Sequence, residues 1–193
     1  EKIRKRAQVI HEQSEYKQSQ LLLCYKLDKL TDFEKQYVMP FYNYILGGAG
    51  DSKLFQTVRE KKSLCYGIGS RHIVIANLLV IKAGIDASNY KKAVSLIRKE
   101  VKNMEKGLFD ESDVEKAKSV LLNTYEELED SPANVISVYI LHEYLNKDLL
   151  DKRAKNVEKV TKQMIVDLAK KIHLDTIYFL EGKHSWKKRN LMV

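Results

Sequence analysis

The chain has 193 residues, of which 44% are hydrophobic and 31% charged, and its formal net charge is +8. This suits one soluble globular domain with, at most, an extra arm. No apolar run approaches the ~18 residues of a membrane-spanning helix, so a membrane partner is not expected. The excess of Lys and Arg raises the question of nucleic acid. The cations, however, are spread along helix faces among acids, as in EKGLFDESDVEKAK. No aromatic–basic interleaving is present, and the dense runs EKIRKR and WKKRN lie at the two ends. Nucleic acid is therefore a disfavoured partner, and a basic surface that attracts an acidic peptide or protein stays open.

In chain order, residues 1–19 are polar and charged and read as a helix or an interdomain linker arm. Residues 20–183 read as one domain and 184–193 as a tail. LLLCYKL (21–27) has the character of a buried strand. Thr31-Asp32 caps a helix whose apolar residues fall at Phe33, Tyr37, Val38, Phe41 and Ile45. Pro40 interrupts that helix, and Gly47-Gly48 is expected to end it in a left-handed turn. A short helix then starts at Asp51 or Ser52 and carries Arg59. Residues 65–76 and 78–86 read as two strands joined near Ala76-Asn77.

Ser88 opens an amphipathic helix with Tyr90, Ala93, Val94, Ile97, Val101 and Met104 inward, stopped by Gly107. Helices are also expected from Asp110, from Ser131-Pro132 with its capping serine and first-turn proline, and from Thr161 to about Ile172. IYFL (177–180) is the last strand. Strands alternating with helices, plus one adjacent strand pair, predict an α/β sandwich with a mixed sheet. The faces of 33–45 and 90–104 are expected on one side of it, with Phe41 and Val94 in the core.

The histidines are His11, His72, His142, His173 and His184. A hydrolytic zinc site uses two histidines one helical turn apart with a glutamate as base. His142-Glu143 begins such a pattern but meets Asn146, and His11-Glu12 meets Glu15. The inverted order HxxEH is absent. There is no G-x-S-x-G, and Cys65 has no histidine placed for it by spacing. Gly47, Gly48 and Gly50 lack the spacing of a phosphate-binding loop. Cys24 and Cys65 sit in apolar strand settings without metal-type spacing, as buried thiols of a reducing compartment; a cytoplasmic location is expected. The chain opens at Glu1 without a Met and reads as a fragment of a longer protein.

Arg59 and Tyr66 remain, seven residues apart across a helix–turn–strand block. A cation near a helix C-terminus suits the helix dipole, and a tyrosine at a strand start is often packing. Together, a guanidinium and a phenol aimed at one cavity bind a peptide carbonyl and stabilise charge developing on it. Neither generates a nucleophile, so the pair is half of a site.

The block LGGAGDSKLFQTVREKKSLCY (46–66) resembles the signature LGG…SRLFQ.VREK.GLAY in the C-terminal half of pitrilysin-type zinc peptidases, the insulinase-like family of mitochondrial processing peptidase and its bacterial relatives. Gln20 with LLLCY, GID with Asn89 and Ala93, MEKGLFDESDVEKAK and VEKVTKQMIVDLAKK extend the likeness over about 18–183. The resemblance implies that zinc sits in the N-terminal half and that none is held here. It implies that this half faces the first across a closed chamber, and that Arg59 and Tyr66 bind the peptide substrate. The expected partner is an N-terminal peptidase half or a homologous subunit. Ser63 stands where the family has Gly and Cys65 where it often has Ala, small replacements expected to leave the pair's geometry intact. The family also contains non-catalytic paralogues that serve as scaffold or partner subunits, so that role is the alternative.

Overall fold

The computed structural model describes residues 3–15 and 18–182. His184 and the expected tail 184–193 lie outside them. Five strands form one mixed sheet: β1 (Gln8–Ser14), β2 (Ser19–Leu27), β3 (Cys65–Ile73), β4 (Leu78–Ile85) and β5 (Ile172–Gly182), in the order β1-β5-β2-β4-β3. β1 runs parallel to β5, and the other neighbours are antiparallel. The helices are α1 (34–48), α2 (Phe55–Glu60), α3 (Tyr90–Glu105), α4 (Glu111–Glu129), α5 (Pro132–Leu145), α6 (Leu150–Val157) and α7 (Lys162–Ala169). The α/β class with a mixed sheet is as expected.

β2 explains the layering. Its residues alternate strictly: Leu21, Leu23, Tyr25 and Leu27 are buried, while Leu22, Cys24 and Lys26 are only half-buried. Side chains along a strand point to opposite faces in turn, so one face takes the helices and the other stays open. Leu79, Ile81, Ala83 and Ile85 of β4 continue the covered face. Against it lie Phe41 and Tyr42 of α1, both 0% exposed, with Ala93, Ile97 and Met104 of α3. The Tyr90 ring packs on Phe179 of β5 at 4.6 Å between centroids, a spacing typical of a tilted aromatic pair. Val94, expected in the core, is only half-buried, because the buried stripe of α3 runs through Ala93, Ile97 and Val101, beside it.

Four elements differ from the sequence reading. Residues 8–14, expected in a helix or arm, form edge strand β1. Its register is held by His11 Nε2 at 2.8 Å from Glu181 and by the Tyr178 hydroxyl donating to Glu12 at 2.7 Å, contacts to a strand some 166 to 170 positions away. β5 begins at Ile172, where a helix end was expected, because 172–176 pair with β2. α6 has no counterpart in the sequence reading; it buries Asn156 and Val157 but few other residues.

α1 is the fourth. π-helical turns, Glu34–Val38 and Tyr44–Gly48, flank a single α-helical turn at Met39–Asn43, with Pro40 in the first turn of that α segment. A π turn shifts the hydrogen-bond ladder by one residue. The segment stays helical through Gly47 and Gly48, neither of which has the positive φ of a left-handed stop; among the glycines only Gly107 does, at 69°. Gly47 is needed for closeness: a Cβ there would lie 2.7 Å from Ser70 Oγ and 2.9 Å from the Ser70 backbone nitrogen on β3. The glycine lets helix and strand touch.

Several local signals act as the residues dictate. Thr31 and Glu34 form a reciprocal capping pair, with Thr31 N donating to Glu34 Oε2 (2.8 Å) and Glu34 N donating to Thr31 Oγ1 (3.2 Å). Asp110 and Asp113 do the same for α4, and Thr161 Oγ1 accepts from Met164 N at 3.3 Å at the start of α7.

Candidate functional site

Arg59 and Tyr66 flank the turn between α2 and β3. α2 is anchored by Val58, which is 0% exposed, so Arg59, the next residue, points outward. The turn is tied back to the helix: Ser63 N donates to the Arg59 carbonyl at 2.9 Å and Leu64 N to the Val58 carbonyl at 3.0 Å. Closing it requires Ser63 at φ 48°, a left-handed conformation that costs an L-residue roughly 1–2 kcal/mol and glycine little. The Gly-for-Ser exchange noted above thus concerns backbone conformation, not only size.

The Arg59 guanidinium lies over the Phe55 ring, 4.7 Å from its centroid, and 3.9 Å from a Glu60 carboxylate oxygen. It keeps 44% of its side chain exposed. Stacking on Phe55 fixes its direction while leaving most of its N–H donors for a ligand. Its charge also reaches Cys65, next in chain to Tyr66. Burial pushes the Cys65 thiol above its ordinary range, and Arg59 pulls it only partly back. A thiol so shifted is a poor nucleophile at neutral pH.

Tyr66 is 54% exposed. A register shift between Cys65 and Gly67 sets it out of the regular pairing with β4, as a bulge does when it re-aims a side chain. Its hydroxyl donates to Asp86 Oδ1 at 2.7 Å, and this bond holds the phenol above its usual pKa, so it keeps its proton. With that proton committed to Asp86, the oxygen offers its lone pairs to a peptide N–H. Donating to a peptide carbonyl instead requires letting go of Asp86. Asn89 Nδ2 donates to the Leu64 carbonyl at 3.3 Å and braces the same corner from the start of α3. Asp86 and Asn89 were not identified as site residues from sequence; the stretch GIDASN was legible only as a strand-to-helix step.

Arg59 and Tyr66 thus lie exposed at the corner on either side of this turn, each paired with a carboxylate of its own, Glu60 and Asp86, rather than lining one cavity together. Beside Tyr66 begins a groove of about 460 Å³ on the open face of the sheet, running along Gly67, Gly69 and Arg71 of β3 and Val80 and Lys82 of β4.

The histidines are dispersed. His11 faces Glu181, and His142 Nδ1 lies 2.8 Å from the Lys147 carbonyl. His72 is half-buried on β3, where burial and then the Lys147 charge lower its pKa. Among the described residues no group of three or more His, Cys, Asp or Glu side chains converges where a metal ion could be held. The donors present do not fit a zinc site.

Comparison with known proteins gives a consistent answer. Residues 1–121 match the family described as the peptidase M16 inactive domain. The chain is 34% identical, over 89% of its length, to the "Probable inactive metalloprotease YmfF" of Bacillus subtilis (strain 168), of which it spans 40%. A conserved protein from Enterococcus faecalis V583 superposes with a TM-score of 0.88 at 28% identity, over 96% of this chain and 44% of that one. The peptidase M16 inactive domain from Pseudomonas fluorescens shares the fold, with a TM-score of 0.77 at 18% identity over 93% of this chain and 44% of that one.

Proposed function

The chain belongs to the peptidase M16 inactive-domain family, the half without the catalytic metal in a family of zinc proteases, and from that premise we propose that it is a substrate-binding half that holds peptides for a zinc-bearing partner across a closed chamber. The partner is an N-terminal peptidase half or a homologous subunit. The observation that carries the proposal is the corner at Arg59 and Tyr66: two exposed polar side chains, each oriented by a neighbour, beside an open sheet face. Arg59 donates to a peptide carbonyl, and its donors strengthen as negative charge builds on that oxygen. Tyr66, held by Asp86, accepts a backbone N–H and fixes the peptide's register. Zinc chemistry belongs to the partner; among the described residues no cluster of His, Cys, Asp or Glu fits that ion.

Peptide binding to this chain tests the proposal. Arg59→Ala should weaken binding about tenfold, as loss of a charge-assisted hydrogen bond does. Arg59→Lys should not restore it fully, because an ammonium lacks the planar fork. Tyr66→Phe should weaken binding with the melting temperature unchanged. In an assembly with a zinc-bearing half, Arg59→Ala should lower kcat/KM by ~10²-fold. Binding and turnover indifferent to both residues would refute the assignment.

A second reading has its own support in the name of the Bacillus subtilis relative, a probable inactive metalloprotease: the whole protein is a non-catalytic paralogue acting as scaffold or partner subunit. Zinc analysis of the whole protein separates the two readings, one tightly held zinc per molecule favouring the peptidase. The proposal also keeps the protein in the cytoplasm, where the free thiols of Cys24 and Cys65 persist; fractionation that finds it outside the cell would overturn this.

A further inference from the structure

The open face of the sheet carries a feature the corner does not account for. Register places Gly67 opposite Gly84, Gly69 opposite Lys82 and Arg71 opposite Val80, and on the other side of β4 Leu22 opposite Lys82. Leu22, Val80 and Ile73 line the groove as apolar wall. A Cβ added at Gly67 would meet nothing within 4 Å, whereas the Gln18 side chain lies over Gly84 opposite, so the end next to Tyr66 is open on the β3 side only. Ile73, at the other end, is 40% exposed.

Two cations stand over this apolar strip. Arg71 and Lys82 are diagonal neighbours on adjacent strands, a relation that sets Cα atoms roughly 7–8 Å apart. Both are exposed, and neither has an ion-pair partner among the described residues. Like charges that close repel each other, and here no carboxylate offsets them. Elsewhere on this face the cation is paired: Lys26 lies 3.4 Å from Asp175. An extended peptide laid along β3 places alternate side chains toward the sheet. One that sets an apolar side chain on Leu22 and Val80, and a carboxylate between Arg71 and Lys82, satisfies both features at once.

We propose that the groove between β3 and β4 on the open sheet face is a specificity subsite for acidic–apolar peptide segments, with Arg71 and Lys82 receiving a carboxylate and Leu22, Val80 and Ile73 seating the neighbouring apolar side chain. This rests on the reading of the Arg59–Tyr66 corner as peptide-binding and adds the substrate class.

The experiment is fluorescence anisotropy on this chain with three fluorescein-labelled peptides of one length, identical except that Leu alternates with Glu, with Gln or with Lys. The Glu peptide should bind about fivefold or more tighter than the Gln peptide, and the Lys peptide weakest. Lys82→Glu and Arg71→Glu should each weaken the Glu peptide about fivefold, and the double variant should favour the Lys peptide; both positions are exposed, so the fold should survive, as melting curves verify. Ile73→Ser should weaken all three peptides. Lys91→Glu and Lys99→Glu, on the exposed side of α3, should change nothing.

Equal affinity for the three peptides, or affinities unmoved by Lys82→Glu and Arg71→Glu, overturns the subsite. So does an equal loss from Lys91→Glu, which would mean general attraction to a basic protein. If in those cases Arg59→Ala and Tyr66→Phe still weaken every peptide, the proposed function stands and only the subsite falls. If no peptide binds, both fall.

Discussion

On its covered face the sheet presents Leu21, Leu23, Leu79 and Ile81 to the helices, each 0% exposed. On its open face the same strands present Leu22, Cys24, Val80 and Lys82, half-buried or exposed. One face is close-packed and contains α1, whose π turns and glycine let it touch β3. The other is a groove with Gly67 bare at one end and two cations, Arg71 and Lys82, that have no ion-pair partner among the described residues. Burial of apolar area is the main stabilising term in a domain of this size, and here it is concentrated on one side. Among the described residues the open side contributes little of that burial. In this chain the bulk of the buried core and the proposed groove thus lie on opposite faces of one sheet.

The sharpest way to break this contrast is to truncate one residue on each face. Phe41→Ala should cost about 3–5 kcal/mol, since Phe41 is wholly buried. Leu22→Ala should cost about 1 kcal/mol or less. Denaturant titrations that give similar losses would show that the open face is as structural as the covered one.

Gly47→Ala tests the contact that joins α1 to β3. Ala favours a helix by about 1 kcal/mol over Gly, but the added Cβ would meet Ser70. Overpacking of this kind costs about 1–3 kcal/mol, so a net loss is expected. A stabilised Gly47→Ala protein would mean that the glycine serves no close approach.

Ser63→Gly should stabilise the chain by about 0.5–1 kcal/mol, the relief at a left-handed position less the entropy of glycine. A lowered melting temperature would contradict the φ of 48° at the corner.

The smallest expected effect is in pH. His72, half-buried on β3, has its pKa lowered below 6.5 by burial and by Lys147, so the folded state prefers the neutral ring. The unfolded chain binds this proton more readily. Stability from this group is therefore full above about pH 6.5 and is lost as pH falls toward the folded-state pKa. His72→Leu should flatten that part of the profile. Parallel profiles for wild type and His72→Leu would refute the assignment.

Much of this molecule was legible without coordinates because its signals are local. Thr31 with Glu34, Asp110 with Asp113, Ser131-Pro132 and Thr161 mark helix starts through bonds spanning three residues. Gly107 ends α3 in the left-handed conformation that glycine accommodates, and the apolar run 21–27 marks a strand, although only the structure shows that one of its faces stays half-covered. The block 46–66 singled out Arg59 and Tyr66, and both are exposed on either side of the turn between α2 and β3. Asp86 stayed hidden because its partner, the Tyr66 hydroxyl, is twenty positions away. β1 looked like a charged arm because its ladder is made with a strand at the far end of the chain. Gly47-Gly48 read as a stop because nothing local reveals that Ser70 will lie against the helix.

The sequence by itself determined the family of the chain, the α/β class and most of its helices and central strands, since periodicity, caps and a contiguous signature depend on neighbours a few residues apart. The tertiary structure alone decided which edge β1 joins, why Gly47 and Ser63 adopt their conformations, how Asp86 holds Tyr66, and that Arg71 and Lys82 share an open groove. Each of those follows from groups distant in the chain being brought within a few ångströms, where sterics and charge act.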